Sequence, residues 1–156
     1  MLKIILLGLY ALTNLTNINW EQNIAVAKTK AKAEQKLVLL NFSGSDWCGP
    51  CIRLKKEILE TEPFKCVTDT ALFLVNADFP RLSKNKLAKG KVLENEILAE
   101  KYNPNGEFPL TLLLDADGKV IKRWPGLPKL SAIEFGQEIM SIYRSQRKKK
   151  LVVQRI

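Results

Sequence analysis

The residues of this chain best suited to chemistry are two cysteines three positions apart, in Asp46-Trp47-Cys48-Gly49-Pro50-Cys51. Before them lies the apolar run Leu37 to Phe42, of strand length, and after them Ile52 to Glu60 reads as a helix. A Cys-x-x-Cys where a buried strand gives way to a helix is an arrangement for thiol–disulfide exchange. Three residues make nearly one helical turn, so both sulfurs fall on the first turn and can bond to each other with little backbone movement. A helix start also carries unpaired N–H groups and partial positive charge, which favour a thiolate on Cys48. Thiols in such motifs ionise at about 3.5–7.5, against about 8.5 for a free cysteine. Cys48 is therefore the expected nucleophile. Cys51, facing the core with Leu54 and Ile58, is the shielded partner that resolves a mixed disulfide. Pro50 suits the first turn because it lacks only an N–H that would be unpaired there.

Other uses of the pair fit less well. Zinc needs two further ligands, yet the chain has no histidine and only one more cysteine, Cys66, so no metal is expected. A purely structural bridge between such near neighbours would close a loop too short to restrain much chain entropy. Cys66 itself is expected to be a buried, inert thiol.

Around the pair, the pattern of apolar residues predicts the elements that hold it. Trp20, Ile24, Ala27 and Ala31 recur at helical spacing, with Lys28, Lys30, Lys32 and Glu34 between them, giving an amphipathic helix that covers a sheet. Leu37 to Phe42 reads as a strand covered on both faces, delivering the loop Ser43-Gly44-Ser45 to the cysteines. Pro63 opens a short helix through Phe64 and Val67, and Ala71 to Ala77 is a second buried strand. The helix between the two strands makes a right-handed βαβ unit, so the sheet is parallel at its centre. From Phe79 to Lys91 the chain is polar and basic, with Gly90 a break before a helix carried by Val92, Leu93, Ile97 and Tyr102. Pro104-Asn105-Gly106 ends that helix. Leu110 to Leu114 and Lys119 to Trp124, either side of Asp115-Ala116-Asp117-Gly118, form an antiparallel hairpin. Ser131 with Glu134 makes a capping box for a last helix whose apolar side is Phe135, Ile139, Ile142 and Tyr143.

At 156 residues and 46% hydrophobic content the chain suits one domain with a substantial core. Its formal charge of +9 favours acidic partners or anionic surfaces. No recognition motif or interleaved aromatic stripe accompanies the charge, so specific nucleic-acid binding is not expected. Residues 1–19 read as a signal peptide: Lys3, then an apolar run from Ile4 to Leu12 too short to span a bilayer, then a polar stretch with no clear cleavage triplet. Residues 20–143 would be the folded domain. Residues 144–156 would be a basic tail, a solvated helix end whose cations suit the helix dipole.

Trp47-Cys48-Gly49-Pro50-Cys51 resembles the thioredoxin active-site pentapeptide, and the longer Phe42-Ser43-Gly44-Ser45-Asp46-Trp47-Cys48 is similar to a branch of exported bacterial thioredoxin-like proteins. The resemblance covers about Trp20 to Tyr143. It implies an α/β thioredoxin fold: a central four-stranded mixed sheet flanked by helices, with an N-terminal helix and a helical insert before the strand that a cis-proline precedes. Phe108-Pro109 occupies that proline's place, with Phe108 offering backbone groups and an apolar contact to an extended substrate. Gly126 matches the glycine of the substrate groove, and Trp47 would roof the nucleophile. In one respect the chain departs from the family. Thioredoxins bury an acid in the first core strand as a proton acceptor, paired with a lysine on the neighbouring strand, and those places are expected to hold Asn41 and Leu74. Losing both avoids a buried unpaired charge, but an amide cannot take the proton of Cys51.

The resemblance implies a disulfide reductase with no cofactor beyond the Cys48–Cys51 pair. Its partners would be disulfide-containing proteins and, as electron donor, a membrane thiol–disulfide reductant; its location would be the periplasm or the exterior. An envelope oxidase or isomerase, or a non-catalytic binding module on the same fold, stays open at this stage.

Overall fold

The computed structural model describes residues 18–153. Its elements are α1 (Ile24–Glu34), β1 (Leu37–Ser43), α2 (Gly49–Leu54), α3 (Glu62–Ala71), β2 (Leu72–Asp78), α4 (Lys89–Tyr102), β3 (Leu110–Leu114), β4 (Val120–Pro125) and α5 (Ala132–Val153). The strands form one sheet in the order β2-β1-β3-β4. β1 and β2 run parallel, and β3 is antiparallel to both β1 and β4. This is the mixed four-stranded sheet flanked by helices that the resemblance implies, with α1 ahead of it and α4 inserted before β3.

All of β1 is buried, as expected of a central strand covered on both faces. Alternation along it divides two cores. Val38, Leu40 and Phe42 join Val75, Ala77, Leu112 and Leu114 under α1 and α4. Leu37 and Leu39 join Leu74, Leu113 and the apolar sides of α2, α3 and α5 on the opposite face. Each fully buried leucine here is stabilised by about 1.5–3 kcal/mol relative to exposure. Phe135 of α5 anchors the second core, with Trp124 edge-on at 4.9 Å and Phe64 at 5.9 Å between ring centroids. The capping box forms: Ser131 Oγ accepts from Glu134 N–H at 3.2 Å, and the Glu134 carboxylate accepts from Ser131 N–H at 2.8 Å.

Several expectations change. The first helix starts at Ile24, capped by Asn23, and not at Trp20. Trp20 instead makes a parallel bridge to Leu74, and Glu21 N–H donates to Leu74 C=O at 2.7 Å, because an unpaired edge of β2 is there to bind. Gly90 does not break the chain but lies in the first turn of α4, where loss of side-chain packing matters least. The buried side of α4 is Asn95, Leu98 and Tyr102, while Leu93 and Ile97 face solvent. Cys66 is exposed, since Phe64, Val67, Thr68 and Ala71 take the inward face of α3. The helix begun by α2 continues through a wider, π-type turn over Lys55–Leu59, which brings Ile58 and Leu59 both into the core. α5 continues to Val153, well into the basic segment. The predicted leader lies outside the described residues except for its last two positions, of which Ile18 is buried in the α2/α3/α5 core.

Candidate active site

Cys48 and Cys51 are joined in a disulfide, with Cα atoms 5.2 Å apart. Cys48 is the N-cap of α2 in extended conformation, and its Sγ accepts a hydrogen bond from Cys51 N–H at 3.2 Å. The helix start thus presents an otherwise orphan donor to the first sulfur, the interaction that favours a thiolate there. Gly49 and Pro50 are exposed in the first turn, and Pro50 takes the position where its missing N–H costs nothing. Both cysteines are buried in the bonded state, at 4% exposure each. Cys51 is shielded as expected, and while the two are joined Cys48 is equally so.

The Phe108–Pro109 peptide is cis, as the resemblance implies. Gly126, at φ 71°, donates its N–H to Pro109 C=O at 2.8 Å, so the two predicted substrate-side positions are brought together at the β3/β4 end. Pairing of β1 with β3 begins only at Leu110, leaving Phe108 beyond the ladder. Trp47 meets Phe108 edge-on at 5.4 Å, and Phe108 meets Phe79 likewise at 5.5 Å. The Trp47 indole N–H donates to Phe79 C=O at 2.7 Å, and the Arg81 guanidinium lies 3.8 Å above the indole ring. Gly44 is required beneath it, because a Cβ there would collide with the indole.

Asp46, which the sequence reading did not single out, ties the insert to this loop. Its carboxylate accepts from Arg81 N–H, Leu82 N–H and the Asn85 amide, each at 2.9 Å. These donors, the Arg81 N–H foremost, hold its pKa below the ordinary carboxylate value.

On the Cys51 side the sheet ends in polar residues. Asn41 shares a face with Leu37 and Leu39, which places it beneath α2. The strand register pairs it with Asn76, not with Leu74 as the sequence reading had it; Leu74 is two residues short and lies opposite Leu39. The family's acid–lysine pair is therefore replaced by two amides, Asn41 and Asn76, and not by Asn41 and Leu74. Asn41 Nδ2 donates to Asn76 Oδ1 at 2.9 Å, and Thr111 Oγ1 donates to Asn41 Oδ1 at 3.2 Å. Ser43 Oγ stands 3.1 Å from Asn76 Oδ1 and 2.9 Å from Asp78 Oδ1. Asp78 also accepts from Ser45 N–H at 2.9 Å and from the Ser45 hydroxyl. A cavity of about 500 Å³ brings Asn41, Asn76, Ser43 and Asp78 together with Cys51 and Lys55. Asp78 was missed because nothing local marks it: only parallel pairing of Ser43 with Asp78 sets it beside this cavity. Among the described residues no group of three or more His, Cys, Asp or Glu side chains could hold a metal ion.

A family model described as a thioredoxin-like domain matches residues 24–153. The chain belongs to the thioredoxin-like family. This thioredoxin-like chain is 36% identical to disulfide bond reductase DsbH of Chlamydia pneumoniae over 107 residues, which cover 69% of it and 62% of that protein. It is 27% identical to thioredoxin-related protein DsbJ of the same organism over 129 residues, covering 83% of this chain and 36% of that one. The match thus spans less than two thirds of the length of either curated relative. A solved DsbH oxidoreductase superposes with a TM-score of 0.73 at 31% identity, covering 82% of this chain and 85% of that structure.

Proposed function

We propose that the protein is a thiol–disulfide oxidoreductase that reduces disulfides of exported proteins by cycling Cys48 and Cys51 between dithiol and disulfide. The observation that carries this reading is the bonded pair at a helix start, with Cys51 N–H directed at Cys48 Sγ. The named activity of the DsbH relative supports the reductive direction.

In the reduced protein the Cys48 thiolate attacks one sulfur of a substrate disulfide. A Cys48–substrate bond forms as the substrate S–S bond breaks, and the other substrate sulfur leaves as a thiolate. Cys51 then gives up its proton, attacks Cys48 Sγ and expels the second substrate thiolate. Two electrons have passed to the substrate and the protein is left as the disulfide. Phe108 and Pro109 hold the extended substrate beside the pair, with Gly126 leaving its path open. Trp47 forms one wall. Neither Asn41 nor Asn76 can accept the proton from Cys51, so Asp78 takes it across the shared cavity. No cofactor is needed besides the cysteines, and a membrane thiol–disulfide reductant restores the dithiol. The leader expected at residues 1–19 carries the protein to the periplasm or beyond.

Insulin reduction with a thiol donor tests the assignment. Turnover is expected in the natural protein and a loss of about a thousandfold or more in Cys48→Ser. Cys51→Ser is expected to accumulate mixed disulfides, which identify substrates by capture from an envelope fraction. Turnover surviving in Cys48→Ser would overturn the reading.

A further inference from the structure

Beside the disulfide, the basic insert encloses a second hollow that the exchange chemistry leaves unused. A cleft of about 470 Å³ is lined by Phe79, Leu82, Leu87 and Val92, with Arg81 and Lys86 at its rim and Asn95 within it. Asn95 is 1% exposed; its Nδ2 donates to Asp78 C=O at 2.8 Å, and its Oδ1 has no hydrogen-bond partner among the described residues. An acceptor so placed is costly until a donor reaches it. Between Phe79 and Lys91 the chain carries Arg81, Lys84, Lys86, Lys89 and Lys91 and no acid. Among the described residues only Lys91 of these has a carboxylate within salt-bridge distance, Glu94. Asp78, next to the loop and lining the cleft, has its carboxylate engaged by Ser43 and Ser45, and Asp46 sets one negative charge against the loop through Arg81 N–H, Leu82 N–H and the Asn85 amide.

We propose that this cleft is a substrate subsite that receives an acidic segment of the disulfide-bearing polypeptide, an apolar side chain entering between Leu82, Leu87 and Val92 and its carboxylates meeting the cations of the insert. It deepens, and rests on, the reading of Cys48 and Cys51 as the exchange pair. The two sites are continuous. Phe79 lines the cleft and packs on Phe108, while Arg81 lines it and covers Trp47. A chain lying along Phe108 with its sulfur at Cys48 passes over Phe79 into the cleft. Carboxylates on that chain meet Arg81, Lys84, Lys86 and Lys89, which outnumber the one carboxylate held against the loop, Asp46. Such a field raises the encounter rate of acidic substrates and is screened by salt.

The test uses the full chain, reduced and freed of reductant, against peptides of one sequence with an internal disulfide flanked by Glu, Gln or Lys. At low ionic strength the rate constant is expected to be about tenfold higher for the Glu peptide than for the Gln peptide, lowest for the Lys peptide, and nearly level at about 0.5 M salt. Lys84→Glu with Lys86→Glu, both exposed, lowers the Phe79–Lys91 segment from +5 to +1 (5 − 4 = 1) and is expected to collapse the preference for the Glu peptide. Lys148→Glu with Lys149→Glu makes the same change in net charge on the far part of α5, about 24 Å along the helix from Ala132, and is expected to preserve it. Equal rates on the three peptides, or an undiminished preference for the Glu peptide in Lys84→Glu/Lys86→Glu, or an equal collapse of it in the α5 pair, would overturn the subsite. If no peptide is reduced at all, the exchange reading fails separately. Binding of the Glu peptide to the oxidised protein, followed by fluorescence anisotropy of a labelled peptide, then decides the cleft: loss of that binding in Lys84→Glu/Lys86→Glu supports it, and absence of binding to the natural protein overturns it.

Discussion

The two flanks of the active-site helix start are built from opposite materials. On the Cys51 flank the ends of β1 and β2 supply two amides, two hydroxyls and one carboxylate around a cavity of about 500 Å³. On the Trp47 flank three aromatic rings meet edge to face, Phe79 of the insert among them, beside an apolar cleft and cations without salt-bridge partners among the described residues. Asp78 belongs to both, its side chain turned to the first and its carbonyl bonded to Asn95 of the second. On the proposed reading, proton handling and substrate selection fall on separate surfaces that meet at the end of one strand, and changes on one flank should leave the other's readout largely intact.

The largest disturbance expected is on the Trp47 flank. Gly44→Ala puts a methyl group where the indole lies, so Trp47 must move or the loop must shift, at about 1–3 kcal/mol in urea denaturation. An unchanged midpoint would show that the indole packs there only loosely. Next comes Asp78→Asn, which keeps an acceptor for Ser45 but cannot hold a proton. Stopped-flow measurement of mixed-disulfide resolution is expected to show a loss of about tenfold near neutral pH and a flattened pH dependence. A profile that matches the natural protein's would remove Asp78 from the mechanism.

Asn41→Asp sharpens the same flank by restoring a carboxylate beneath Cys51. Burial raises that group's pKa, so resolution should gain a step as pH rises through the raised value, where the acid becomes able to accept. Folding stability should fall as pH rises above the ordinary carboxylate range, because the native state then holds a proton that the unfolded chain has released. No change in the pH–rate profile would count against a role for this position. The smallest effect expected is from Asp46→Ala: amide exchange at Arg81 and Leu82 should quicken several-fold while the α2 amides keep their protection. In the natural protein the Asp46 pKa is lowered, so the clamp should be intact above the ordinary carboxylate range and loosen as pH falls below it.

Much of the architecture was legible because its signals are local. A continuous apolar run gives a covered strand, Pro63 and Ser131 with Glu134 mark helix starts, and Asp117-Gly118 marks a turn. The exchange pair was equally legible, since spacing alone puts two sulfurs on one turn. The errors came where a residue's surroundings, not its type, set its place. Trp20 fits a helix pattern but is taken by the open edge of β2, and Cys66 is a residue type usually buried that falls on the outer face of α3. The inward face of α4 could not be read from Val92, Leu93 and Ile97, because the helix turns a polar residue, Asn95, toward the sheet.

By itself the sequence determined that two sulfurs lie on one helical turn within bonding reach, the order of strands and helices around them, and the basic character of the insert. Only the tertiary structure decided that Asn41 faces Asn76, that Asp78 shares a cavity with Cys51, and that the insert is clamped by Asp46 against Trp47. The physical reason is that a helical turn fixes neighbours three residues apart through covalent geometry. Partners some 35 residues apart meet only through strand register and packing, which no short window of sequence contains.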